Sequence, residues 1–287
     1  VRRLHACETI GAATVICLDK TGTLTRNEMK VEHATITGFS PESARTFFSS
    51  ELGRLVAEGV SVNSTAHLCA GKSDGSKTVG NTTEGALIQW LSESGVDYLP
   101  LRNAFQFVRQ WSFSPDRKFM ATLGTSSVSG KTILFVKGAP EIVLKRCDHL
   151  VGELSSFPLE VGNEAVDAQL LDFQNRGMRT LGLAFREVLP GMFSETMEPS
   201  ESALDVLANQ LTWLGCVAIS DPVRVEAIPA MKACLEAGIQ VKMVTGDNPR
   251  TAMEVARRVG ILQPGDGPDA HIGGEEFRGL SEAEALG

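Results

Sequence analysis

Four apolar, partly β-branched residues, Val15-Ile16-Cys17-Leu18, run straight into Asp19 and the polar turn Lys20-Thr21-Gly22-Thr23-Leu24-Thr25. Such a run reads as a short buried strand. In open α/β sheets, ligands gather at the carboxyl ends of parallel strands. A carboxylate fixed there, beside turn amides and hydroxyls that can receive phosphate oxygens, suits a nucleophile that becomes phosphorylated.

Composition narrows the class. At 287 residues the chain has room for two cores. Apolar content of 43% with 22% charged residues is that of a globular protein. A net charge of −8 argues against nonspecific nucleic-acid binding, which needs a positive surface. The six cysteines (Cys7, Cys17, Cys69, Cys147, Cys216 and Cys234) show no C-x-x-C and no histidine at ligand spacing, so a reducing cytoplasm is the simplest setting. Cys17 and Cys216, inside apolar runs, read as small core residues. No apolar run approaches the roughly 18 residues of a membrane span, and no signal peptide is visible.

Along the chain, residues 1–14 read as a helix-like lead-in and 28–37 as extended chain. Gly38-Phe39-Ser40-Pro41 is a break. A helix over 42–59, a turn over 71–76 and a Thr-capped helix over 82–92 follow. Strand-like runs at 105–113, 118–125 and 131–137 are separated by short polar turns, which favours antiparallel pairing. Helices over 140–146 and 163–176, a strand over 179–185 and a Pro/Ser/Glu loop over 189–202 complete this region. A strand over 211–219, a helix over 222–237, a strand over 239–244 and a helix over 248–259 then imply a parallel, doubly wound sheet. The acidic run Glu275, Glu276, Glu282 and Glu284 reads as a solvated helix face. The chain therefore divides into 1–38, 39–214 and 215–287.

The heptapeptide DKTGTLT and its flanks, CETIGAATVICLDKTGTLTRNEMKV, resemble the phosphorylation motif of type II P-type cation-transporting ATPases, the branch that includes calcium pumps. AGIQVKMVTGDNPRTAMEVARRVGI and KGAPE carry the same resemblance. It implies an α/β architecture: an incomplete Rossmann-like phosphorylation domain of haloacid-dehalogenase type, with an inserted α+β nucleotide-binding domain on an antiparallel sheet. It also implies ATP and Mg2+ as cofactors. Asp19 is the expected acceptor, and the Thr21 carbonyl is expected to join Asp19 on Mg2+. Lys20, Thr245, Gly246 and Asp247 complete the phosphate end, with Thr245 on the phosphoryl group and Asp247 near Mg2+ and nucleotide. Asp221 and Arg224 in SDPVR are expected near the nucleotide's phosphates or ribose, although Asp221 beside Pro222 equally suits a helix start.

In the insert, the resemblance places Lys137 and Gly138 at the adenine pocket, Phe113 stacked on adenine and Lys118 as a nearby cation. It places Glu84 on the adenine amino group and Arg179 at the phosphate end. Helix capping is a rival use for Glu84, and a strand Phe is more often core. Pro115 stands where the family often has Arg. Phosphatases of the same superfamily usually carry D-x-D, whose second Asp moves a proton; Thr21 cannot do so near neutral pH. An acyl phosphate on Asp19 would then persist, which suits a pump better than the alternative, a phosphatase with a large cap. No P-loop pattern is present. The family's later Lys and GDGxND motif do not occur in this chain, so the expectation is a cytoplasmic-face fragment, cut at Val1 and Gly287, that binds nucleotide weakly and does not turn it over. The transported cation, with calcium favoured, and the membrane would engage parts of the parent outside these residues.

Overall fold

The computed structural model describes residues 12–70, 76–152, 156–158, 163–193, 201–267 and 270–281. Residues 1–11 of the lead-in, 71–75 of the turn and 194–200 of the 189–202 loop, with Glu282 and Glu284, lie outside them. Two compact units form: a smaller one from residues up to Glu28, Asn175–Gly177 and Asp221 onward, and a larger one from Met29–Gln174 and Met178–Ser220.

The strands are β1 (Val15–Asp19), β2 (Lys30–Ile36), β3 (His67–Ala70), β4 (Ser76–Val79), β5 (Gln106–Trp111), β6 (Phe119–Thr125), β7 (Thr132–Gly138), β8 (Cys147–Val151), β9 (Ser156–Pro158), β10 (Arg179–Glu187), β11 (Leu211–Ser220) and β12 (Gln240–Val244). In the larger unit, among the described residues, eight of them make one sheet in the order β5-β6-β7-β10-β11-β8-β9, with β2 also on β11. All these pairs are antiparallel except β11 with β8. The two faces of the sheet bury different side chains, as period-two alternation requires. On one face Leu134, Val136, Ala184, Cys216 and Ala218 pack with Val143, Leu170, Phe173, Leu204 and Leu207 from the flanking helices. On the other, Leu183, Val217 and Ile219 pack with Val56, Val60, Leu87, Ile88 and Leu91. Because β6 and β7 are covered on both sides, they read as continuous apolar runs rather than alternating ones.

The helix expected over 42–59 is two helices, Ala44–Ser49 and Glu51–Val62. Ser50 sits between them in extended conformation and its hydroxyl accepts from the Gly53 amide at 3.0 Å, an N-cap that restarts the helix. The β3–β4 hairpin, the Tyr98–Ala104 helix and strands β8 and β9 add to the elements read from the sequence.

In the smaller unit β1 pairs in parallel with β12, and Leu24, Ala227, Met231, Val241, Val255 and Val259 form its core. The Pro249–Val259 helix has the expected punctuation: the Asn248 side chain accepts from the amides of Arg250 and Thr251, and Gly260 ends it at φ +81°. Cys17 is exposed rather than a core residue, because β1 is covered on one face only; Cys216 is buried as expected.

The division between units falls at Glu28/Met29 and Ser220/Asp221 rather than at 38 and 214. The reason is pairing. Strand β11 does not return the chain to the smaller unit; it is central in the larger sheet and holds β2 from Gly215↔Ile36 to Ser220↔Lys30. At that pairing Gly215 has φ +141°, and a Cβ there would lie 2.2 Å from the Thr35 carbonyl oxygen. Gly215→Ala is therefore expected to lower stability by about 3 kcal/mol through backbone strain and overpacking. Urea denaturation of the two chains measures it.

Candidate active site and nucleotide pocket

In the smaller unit the parallel register sets Asp19 beside Val244, so Thr245-Gly246-Asp247 leaves the sheet at the same end as Asp19. Asp19 is exposed and, among the described residues, its carboxylate has no hydrogen-bond or ion-pair partner. The chain then turns tightly: Gly22 has φ +78°, and the Thr25 amide donates to the Lys20 carbonyl at 3.1 Å. Leu24, 2% exposed, anchors the turn in the core. Lys20 is buried with its ammonium on the Asp247 carboxylate, so these two expected site residues meet. That contact joins the Asp19 loop to the loop after β12. The Thr245 hydroxyl accepts from the Asp247 amide at 3.1 Å. A Cβ at Gly246 would meet nothing within 4 Å, so this backbone is open to approach. Thr21 is exposed and places no carboxylate next to Asp19.

Asp221 and Arg224 have partners that the sequence reading does not give them. Asp221 caps no helix, since the helix predicted from 222 begins at Ala227. Its carboxylate accepts from the Thr25 hydroxyl at 2.6 Å and the Glu28 amide at 3.1 Å. Arg224 donates from Nε to the Thr25 carbonyl and from Nη2 to the Gly22 carbonyl, both at 2.9 Å. Both side chains thus brace the loop that follows Asp19.

In the larger unit the Thr82–Glu93 helix is capped by Asn81, not by a Thr: the Asn81 side chain accepts from the amides of Thr83 and Glu84. Glu84 is released from capping and points at Lys137, whose ammonium lies 3.1 Å from Oε1. The other oxygen, Oε2, accepts from the Thr65 amide and hydroxyl, both at 2.7 Å. Lys137, on β7 and 4% exposed, also donates to the Asn63 carbonyl. Asn63 is itself tied to the sheet, accepting from the Thr122 hydroxyl at 2.9 Å and donating to the Phe135 carbonyl at 3.4 Å. Burial pushes the Lys137 ammonium down from 10.5 to about 8, and Glu84 only partly offsets this. Burial also works against the Glu84 carboxylate, but the Lys137 charge and the Thr65 donors outweigh it and hold the group below its ordinary value.

Arg179, at the start of β10, donates to the Thr83 hydroxyl at 2.6 Å, so Glu84, Lys137 and Arg179 meet around the first turn of one helix. Gly138 pairs with Phe119, and a Cβ there would lie 2.4 Å from the Lys118 carbonyl oxygen. Lys118 adopts φ +56° and its carbonyl accepts from the Ala139 amide at 2.9 Å. Phe113 is not a strand residue: β5 ends at Trp111, and the ring stands 59% exposed on the connection that leads to Lys118. The sequence reading missed Asn63, Thr65 and Arg102. The run Asn63-Ser64-Thr65 between a helix and a strand was the available signal, since such residues bond local groups.

Removing one member of a buried ion pair strands the other. Lys137→Met is expected to cost about 3 kcal/mol, and Glu84→Gln added to it less than the sum of the single changes. Between pH 8 and 10.5 the unfolded chain holds more protons on this lysine than the folded one, so its contribution to stability rises with pH across that window. Urea titrations at both ends of the window should show this rise in the natural chain and its loss in Lys137→Met.

A family model described as P-type ATPase, cytoplasmic domain N, matches residues 51–226. Calcium-transporting ATPase PAT1 of Dictyostelium discoideum is 36% identical over 287 residues, covering 99% of this chain and 25% of that protein. Calcium-transporting ATPase 7, plasma membrane-type, of Oryza sativa subsp. japonica is 36% identical over 100% of this chain and 27% of its own length. Plasma membrane calcium-transporting ATPase 4 of Homo sapiens is 36% identical over 99% and 23%. The chain spans about a quarter of the length of these curated relatives. By the family model that spans most of it, this chain belongs to the P-type ATPases and carries their cytoplasmic domain N.

Proposed function

We propose that the larger unit binds ATP and that Asp19 of the smaller unit accepts its γ-phosphoryl group, within a parent protein that moves a cation, calcium by its relatives, across a membrane. The observation that carries this reading is the parallel register of Asp19 with Val244, which gathers an exposed carboxylate, a buried ammonium and the Thr245-Gly246-Asp247 loop at one strand end. The smaller unit is then a Rossmann-like phosphorylation domain, with the larger unit inserted in it. The site belongs on the cytoplasmic face. Among the described residues no helix is long and apolar enough to cross a membrane.

In the reaction, an Asp19 oxygen attacks the γ-phosphorus in line; the new P–O bond forms as the bond to the bridging oxygen breaks, and ADP leaves. Lys20, fixed by Asp247, keeps positive charge next to the acceptor. The Thr245 hydroxyl is free to donate to a phosphoryl oxygen. Position 21, where phosphatases of the superfamily carry a proton-moving Asp, holds a threonine that cannot pass a proton to or from water near neutral pH. The acyl phosphate therefore persists long enough for a change of shape. The donors available, the Asp19 carboxylate and the Thr21 carbonyl, are hard oxygens. They fit Mg2+, which takes few protein ligands and completes its shell with phosphate oxygens and water. Bound there, it would offset negative charge on the phosphates and the acceptor.

For the base, Phe113 offers an exposed ring, and Glu84, Lys137, Lys118 and Gly138 offer polar atoms and close backbone; Arg179 suits the phosphates. Titration of the 287-residue chain with ATP tests the pocket. Phe113→Ala should weaken binding about tenfold, the worth of one base–aromatic stack, with unchanged stability. In the full-length parent, Asp19→Asn should abolish the covalent phosphoenzyme while ATP still binds. A phosphoenzyme retained in that variant would overturn the reading, as would a chain that binds small phosphomonoesters but not ATP.

A further inference from the structure

Among the described residues, the two carboxylate oxygens of Glu84 have separate duties. Oε1 faces the Lys137 ammonium at 3.1 Å, and Oε2 receives the Thr65 amide and hydroxyl at 2.7 Å each, with the Ser64 hydroxyl farther off at 3.5 Å. Two donors from one residue on one oxygen fix the plane of the carboxylate, not merely its distance. Thr65 can do this because its loop is held at both ends. Arg102 donates from Nε to the Ser61 carbonyl at 2.8 Å and from Nη1 and Nη2 to the Ala66 carbonyl at 3.2 Å. Asn63 is fastened to β6 and β7 in the same loop. The residue as a whole is exposed, so its bonds to Glu84 are not a by-product of core packing. We propose that Thr65 is a positioning residue for nucleotide binding, holding one oxygen of Glu84 so that the other stays on Lys137 and the pair presents one fixed arrangement to the base.

This inference rests on the nucleotide-pocket reading above. The charged groups facing Glu84 are Lys137 on β7 and, farther off, Arg102 on the Tyr98–Ala104 helix, whose guanidinium also contacts His67 at 3.1 Å. Thr65→Val keeps the amide donor and removes the hydroxyl. One charge-assisted bond is lost, so ATP is expected to bind about fivefold more weakly. The acid limb of the affinity–pH profile should move to higher pH, because the carboxylate loses a donor that favours its charged form.

The experiment is ATP titration of the 287-residue chain across pH 4–9 for the natural protein, Thr65→Val, Thr65→Ser, Glu84→Gln and the Glu84→Gln/Thr65→Val pair, with thermal midpoints alongside. Thr65→Ser should restore both affinity and profile. In the Glu84→Gln background the Thr65→Val effect should shrink, since the positioned group is gone. Weaker binding by Thr65→Val with an unmoved pH profile, or an equal effect with and without Glu84, would reduce Thr65 to a structural residue and overturn the inference alone. Absence of ATP binding by the natural chain would overturn the pocket reading itself, and this inference with it.

Discussion

Strand β11 is hydrogen-bonded along one edge to β10 and along the other to two partners in succession, β8 from Leu211 to Trp213 and β2 from Gly215 to Ser220. The larger unit depends on that shared edge. It joins segments separated by most of the chain into one sheet, and it places Cys216 and Ala218 in one core and Val217 and Ile219 in the other. Burying an apolar side chain of this kind contributes about 1.5–3 kcal/mol. The strand is also where the first and last segments of the unit meet, since Lys30 pairs with Ser220. The Ser220 hydroxyl adds a 2.5 Å bond to Glu32 at that last rung.

The polar interior is built around Lys137, and its design is one of mutual dependence. A nearly fully buried ammonium costs more to desolvate than a single hydrogen bond returns, so it is held by Glu84 and the Asn63 carbonyl together. Glu84 in turn is held by Thr65. Glu58 is a second buried carboxylate, and among the described residues it is satisfied differently, by Ser126 and Ser127 of the β6–β7 connection and by no cation. The first pairs opposite charges inside the unit, and the second closes a hairpin. Both are paid for by local donors rather than by solvent.

Much of this was legible in the residues. Strands β1, β6, β7, β10, β11 and β12 and the Pro249–Val259 helix follow from apolar runs and from Asn248, Pro249 and Gly260 punctuation. The antiparallel sheet of the larger unit followed from short polar turns. What a linear reading could not supply was partnership across distance. Nothing local to Asp221 and Arg224 announces that they grip a loop almost two hundred positions earlier. The capping role considered for Glu84 falls to Asn81, one residue outside the motif. The boundaries moved because pairing of β2 with β11 is a non-local event that the break at Gly38-Phe39-Ser40-Pro41 does not announce. Asn63 and Thr65 escaped notice because polar loop residues gain meaning only from what folds against them.

The Lys30–Ser220 rung has a topological consequence. Adjacent strands in a sheet lie about 4.8 Å apart, so the chain leaves the larger unit about one strand spacing from where it entered. The closure entropy of that long excursion is therefore met inside the larger sheet and does not fall on the residues before and after it. To the polypeptide on either side, the whole of that unit counts as a tight turn.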